Sequence, residues 1–170
     1  PPNAIVDDFV IGMKVREQGC RMLYEPTAIA TEELPEVADE WVRRVRIGAG
    51  NYQSLGFLKS CLGLRFGVFA WAFWSHKVLR WFTPHLVIAM ACISYPLCVF
   101  SLINGKGLLE TLPAFAVSVF LASLVVAGQA GRLMRKSGCA GPVARLCGAC
   151  DHFVTMHLAL FSGWLRFCGG

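Results

Sequence analysis

Two groups of side chains in this sequence have the types and spacing for chemistry. Asp7 and Asp8 are adjacent carboxylates between the apolar segment Ala4-Ile5-Val6 and a helix-like run. They emerge where an extended segment passes into a helix, and open α/β sheets bind ligands at such ends. Crowding of like charges can also raise the pKa of one member of such a pair towards that of a useful general base. The plainer use of the same residues is a helix N-cap followed by an acidic first turn. The second group is Arg43, Arg46, Gly50 and Gln53. At about 100° per helical residue these four fall on a stripe roughly 80° wide. Two guanidiniums one turn apart can grip a diphosphate bidentately, Gly50 permits close approach, and Gln53 can donate to a hydroxyl or an oxyanion. A basic helix touching anionic lipid needs the arginines but not the glycine and glutamine.

Lesser signals have plainer readings. Cys147-x-x-Cys150 with Cys139 and His152 has some ligand character, but zinc sites normally show two paired ligand sets. Trp71, Trp74 and Trp81 could stack on sugar, yet their place beside Lys77 and Arg80 fits an interfacial aromatic belt better. His85 and His157 stand alone in apolar runs and read as structural groups. Glu32 and Glu33 close an extended stretch near the carboxylates, where solvated surface is the ordinary role for at least one of them.

The elements that must position these residues follow from local pattern. Asp8 to Gly19 reads as a short helix with an acid at its start and a glycine at its stop. Cys20–Tyr24 and Ala28–Thr31 are brief apolar runs broken by Pro26 and read as two short strands. Glu36 to about Ser54 is free of proline, acidic at its start and basic in its middle, and reads as a second helix.

Composition then divides the chain. Of 170 residues 55% are hydrophobic, with a mean hydropathy of +0.53, too apolar for an ordinary soluble domain. The first 54 residues hold 6 Lys/Arg against 9 Asp/Glu, and the remaining 116 hold 10 against 2. The low charge excludes disorder and a coiled coil, and the length excludes a disulfide miniprotein. The basic residues bracket apolar runs instead of clustering with stacking aromatics, so no nucleic-acid partner is expected. The eight cysteines show no framework spacing and read as reduced. The opening Pro1-Pro2-Asn3 shows no signal peptide, and the chain reads as a piece of something longer.

Between Arg80 and Lys106 lie 25 residues without Asp, Glu, Lys or Arg. About 20 helical residues span a hydrocarbon core, so 84–103 reads as a first span and 112–131 as a second, joined as a hairpin. The stretch 57–83, rich in Phe and Trp with interleaved cations, should lie in the membrane interface. Residues 152–166 are apolar but short, and could be re-entrant, interfacial or a third span. Arg65, Lys77 and Arg80 before the first span and Arg132, Arg135, Lys136 and Arg145 after the second place both ends, and the soluble residues 1–56, on the cytoplasmic side.

Val6-Asp7-Asp8, the stretch Gly19 to Pro26, Thr31-Glu32-Glu33 and Arg43-x-x-Arg46-Ile47-x-x-Gly50-x-x-Gln53 together resemble the C-terminal half of membrane-bound family 2 glycosyltransferases. The resemblance continues through Ser75-His76-Lys77-Val78-Leu79-Arg80-Trp81 and the spans, and so covers nearly the whole chain. It implies an α/β fragment, the C-terminal part of a GT-A domain, followed by an α-helical membrane region. It further implies transfer of a sugar from a nucleotide-sugar donor to a saccharide or lipid-linked acceptor, with inversion, at the cytoplasmic face of a cell inner membrane. Asp8 matches the family's general base, with Asp7 in electrostatic support. Arg46 matches the Arg of the Gln-x-x-Arg-Trp motif, beside the donor diphosphate and the acceptor. Arg43 stands where that motif has Gln and Ile47 where it has Trp. In processive enzymes such as cellulose or hyaluronan synthase the Trp packs at the acceptor sugar, so the resemblance implies addition of one or a few sugars; a processive polysaccharide synthase is the alternative. No Asp-x-Asp occurs, so the ligands of the implied Mg or Mn are expected outside this chain. A competing reading from another class is a non-catalytic, lipid-binding membrane anchor or transport subunit.

Overall fold

The computed structural model describes the backbone of residues 3–31, 37–105 and 107–170, and their side chains apart from 37–39 and 108–110. Glu32 and Glu33 therefore lie outside the described residues. The elements in order are α1 (Asp7–Glu17), α2 (Val37–Phe57), two 3₁₀ turns (Lys59–Leu62 and Leu64–Phe66), α3 (Val68–Phe73), a π-helical turn (Trp74–Val78), α4 (Leu79–Ile103), α5 (Leu108–Lys136) and α6 (Pro142–Cys168).

No strand is present among the described residues, so the expected α/β fragment is corrected to an all-helical fold. Ala4–Val6, Cys20–Tyr24 and Ala28–Thr31 take no regular structure. A strand exists only where a second strand satisfies its N–H and C=O groups, and these segments find none among the described residues. Met22, Leu23, Tyr24 and Ile29 consequently stand exposed. Between the two runs, Glu25 builds the turn with its own side chain: its Oε1 accepts from the Thr27 N–H at 3.1 Å and the Thr27 hydroxyl at 2.5 Å. Those bonds hold the Glu25 carboxyl below the usual range.

α1 forms where its charges suit the helix dipole, with Asp7 and Asp8 in the first turn and Lys14 and Arg16 in the last. Its N-cap is Val6, without a side-chain cap bond. Gly19 (φ +80°) ends it: the Cys20 N–H reaches Val15 O at 3.1 Å and the Gly19 N–H reaches Arg16 O at 3.0 Å, the paired closure that a left-handed residue permits.

The chain divides into two compact units, 1–82 with 159–170, and 83–158. In the first, Val10 and Met13 of α1 join Tyr52, Leu58, Cys61, Phe73, Val78 and Trp81 in one buried core. The buried Tyr52 hydroxyl donates to Trp81 O, and burial pushes its pKa up to about 12. α2 and the end of α6 cross closely: a Cβ on Gly163 would lie 2.7 Å from Ala49 N and 2.8 Å from Gly48 C.

In the second unit the Ser118 hydroxyl donates to Ser94 Oγ at 3.2 Å, linking α4 and α5. α5 and α6 meet at Gly128, where an added Cβ would lie 3.3 Å from Asp151 Cα, and at Gly131, whose missing side chain leaves room for the Cys147 carbonyl.

Two helices, Val68–Ile103 and Thr111–Lys136, are long and apolar enough to cross a membrane. In their most apolar stretches only 17% and 11% of residues are buried, unlike the core helix of a soluble protein. Residues 152–166 belong to the longer α6, which carries Arg145 and Asp151 before that stretch and Arg166 at its end. All eight cysteines are free thiols.

Candidate functional site

The site is built where the segment before α1 lies across α2. The Ile5 N–H donates to Gln53 Oε1 at 2.9 Å, and Gln53 Nε2 donates to Asn3 O at 3.0 Å. One side-chain amide thus takes the place of a neighbouring strand, giving one donor and one acceptor to the extended residues 3–5. One turn earlier, the space a Cβ on Gly50 would need is filled by Val6 Cγ2, with Ile5 Cβ 3.0 Å away. Gly50 is therefore required by close packing between α2 and the residue that precedes Asp7.

This clamp fixes where the two acids begin. Both Asp7 and Asp8 are exposed, and the Asp7 Oδ1 accepts from the Asp8 N–H at 3.0 Å. The next residue, Phe9, packs its ring 5.9 Å from Phe73 and 5.7 Å from Trp81, with Lys77 Nζ 5.2 Å above its face. The residues on either side of the acids are thus held, Asn3–Val6 by the Gly50–Gln53 stretch of α2 and Phe9 by Phe73, Trp81 and the Lys77 ammonium. A cation over an aromatic face adds about 0.5–1 kcal/mol at such exposed sites.

The arginines occupy the same stripe of α2, farther towards its N-terminus. Arg46 is exposed and has no hydrogen-bond or ion-pair partner among the described residues. Arg43 lies 3.6 Å from Glu40 and Arg44 2.6 Å from the same carboxylate, so Glu40 offsets part of the positive charge at those two. Of the four residues grouped by the sequence pattern, Gly50 and Gln53 hold the segment that precedes the acids, and Arg46 is left open to an anion. Sequence pattern could not separate these uses, because the amide's backbone partners lie 48 and 50 residues away.

The remaining signals sort by contact. Trp81 is 4% exposed and belongs to the core, which corrects its expected place in an interfacial belt, while Trp71 and Trp74 are exposed. His157 Nδ1 pairs with Phe153 O at 2.8 Å. Among the described residues no three His, Cys, Asp or Glu side chains converge. The described residues thus form no metal site.

Sequence reading missed one charged cluster altogether. Asp151 is 5% exposed and accepts from Arg132 Nε at 2.5 Å and from Arg135 Nη2, while Arg132 Nη2 reaches the Thr155 hydroxyl at 3.2 Å. Burial pushes its carboxyl pKa up, but the two guanidiniums outweigh that and hold it below the usual value. The available signal was the rarity of acids in a strongly basic half.

No family model, no curated protein and no solved structure matches this chain.

Proposed function

We propose that this chain carries the acceptor side and the membrane-embedded part of an inverting glycosyltransferase that uses a nucleotide-sugar donor at a membrane surface. The supporting observation is the clamp: Gln53 and Gly50 hold Asn3–Val6, the segment that leads into Asp7 and Asp8, against the face of α2 on which Arg46 lies one turn farther on. An inverting displacement needs a base for the incoming hydroxyl and positive charge for the departing diphosphate. Asp8 takes the proton of the acceptor hydroxyl. The acceptor oxygen bonds to the anomeric carbon as the bond from that carbon to the diphosphate breaks, and the diphosphate leaves with the electron pair. Arg46, assisted by Arg43, stabilises the leaving group. The proposal includes a Mg or Mn ion on the donor phosphates, with ligands outside this chain, and Ile47 in place of an aromatic residue favours addition of one or a few sugars.

The test uses membranes containing the complete protein that bears this chain, supplied with a panel of nucleotide sugars and assayed for nucleoside diphosphate release and a glycosylated product. Asp8→Asn is expected to lower turnover by at least about a hundredfold, the usual contribution of a positioned base, with little change in thermal stability. Arg46→Ala should lower it more than Arg43→Ala, because Glu40 already pairs with Arg43. Near-normal turnover in Asp8→Asn removes that residue from the role. Consumption of no donor by the unaltered protein, with Arg46→Ala weakening only its hold on anionic vesicles, leaves the anchor or transport reading in its place. Turnover by these 170 residues alone would refute the assignment of donor binding to residues outside them.

A further inference from the structure

At the end of α5 and the first turns of α6 lies a cavity of about 210 Å³. Its walls are small residues, among them Gly131, Gly141, Ala144 and Gly148, and its charged lining is Arg135 and Arg145. The absence of side chains here is imposed by the fold at two places. A Cβ on Gly131 would strike the Cys147 carbonyl, and Gly141 has φ +139°, a conformation that L side chains rarely adopt. Close α5–α6 packing therefore opens a hollow beneath two guanidiniums.

The surrounding charge is one-sided. Arg132, Arg135, Lys136 and Arg145 are set against the single acid Asp151 over residues 132–151. Asp151 takes one edge of Arg132 and one nitrogen of Arg135. Arg135 remains largely exposed with further N–H donors, and Arg145 is exposed with no partner among the described residues. Two forked guanidiniums over a small-walled hollow match the oxygens of a phosphate group.

Position selects the source of that phosphate. The apolar helix Thr111–Lys136 ends at this level, where a helix that crosses a bilayer meets the headgroups. Leu133, Val143 and Leu146, on other faces of the same turns of α5 and α6, stand exposed at 67%, 63% and 68%. Exposed apolar side chains at this level suit acyl chains and do nothing for a soluble anion.

We propose that this cavity binds the phosphodiester of an anionic phospholipid, with Arg135 and Arg145 on the headgroup and the acyl chains running along the exposed apolar surface of α5 and α6. The site shares no residue with the Asp8–Arg46 group, and its binding does not depend on the glycosyltransferase reading.

The test is native mass spectrometry of the full chain released from micelles doped with phosphatidylglycerol or phosphatidylcholine, with inorganic phosphate as competitor. The unaltered protein should retain phosphatidylglycerol in preference to phosphatidylcholine, and millimolar phosphate should not displace it. Arg145→Ala should weaken retention about fivefold, the effect of one cation near a membrane surface, and Arg145→Lys should restore part of it. Gly148→Leu fills the hollow without altering any charge, since a Cβ there meets open space, and should also abolish the preference. Retained preference in both Arg145→Ala and Gly148→Leu overturns the proposal. Displacement by phosphate overturns the choice of a lipid; should Gly148→Leu fail to fold, Arg145→Ala against Arg145→Lys decides alone.

Discussion

Gln53 and Tyr52, adjacent in sequence, do two different kinds of holding. Gln53 fixes the backbone that leads into Asp7 through two exposed hydrogen bonds, so Gln53→Ala should cost about 1–2 kcal/mol of local order and lower turnover without removing any group that touches a reacting atom. Transfer kinetics of the complete protein check this, and unchanged kcat would separate the clamp from catalysis. Tyr52 donates from the core to Trp81 O, and Tyr52→Phe should lower stability by about 0.5–1.5 kcal/mol. Its pKa is pushed up to about 12 by burial, above the ordinary value near 10. The folded state therefore favours the protonated phenol, so that contribution is present below pH about 10 and is lost as pH rises from there through about 12. Unfolding midpoints in detergent should fall over that window, and less steeply in Tyr52→Phe. The identity of both residues is plain in the sequence, but their partners are not, since each bond closes a loop of 29 residues or more.

Glycine separates the helices into those that touch and those that do not. Gly163→Ala would drive a methyl group into the backbone of Gly48 and Ala49, and overpacking of this kind costs about 1–3 kcal/mol. Gly56→Ala meets nothing within 4 Å and should be neutral or stabilise by up to about 1 kcal/mol, the helix-propensity difference. Thermal unfolding of the two variants in the same detergent reads the contrast; equal midpoints would mean that α2 and α6 do not cross as described. Helix existence was legible from period, charge and stop signals, as α1 and its Gly19 closure show. The strands expected at Cys20–Tyr24 and Ala28–Thr31 were not legible, because apolar runs broken by proline state a preference for extended backbone but do not supply the partner that a ladder requires.

For the molecule as a whole, two helices are long and apolar enough to cross a bilayer, and few residues of their most apolar stretches are buried. If Val68–Ile103 and Thr111–Lys136 cross a bilayer as a hairpin, the loop at Asn104 and the exposed Cys139 after α5 face opposite sides. In a variant keeping only Cys139, a membrane-impermeant maleimide should label sealed vesicles from one face alone, and a thiol introduced by Asn104→Cys in a cysteine-free background should be labelled from the other face alone. Labelling of both from one side would rule out the hairpin crossing. The sequence by itself determined the two long apolar helices, the division of charge and the helix that carries Arg43, Arg46, Gly50 and Gln53, because periodicity and hydropathy are local properties of consecutive residues. Only the tertiary structure decided that Gly50 and Gln53 hold Asn3–Val6, that Trp81 is core, and that Asp151 binds Arg132 and Arg135. Those outcomes depend on which distant atoms compete for each buried volume and each hydrogen-bonding group, and no local pattern encodes the winner.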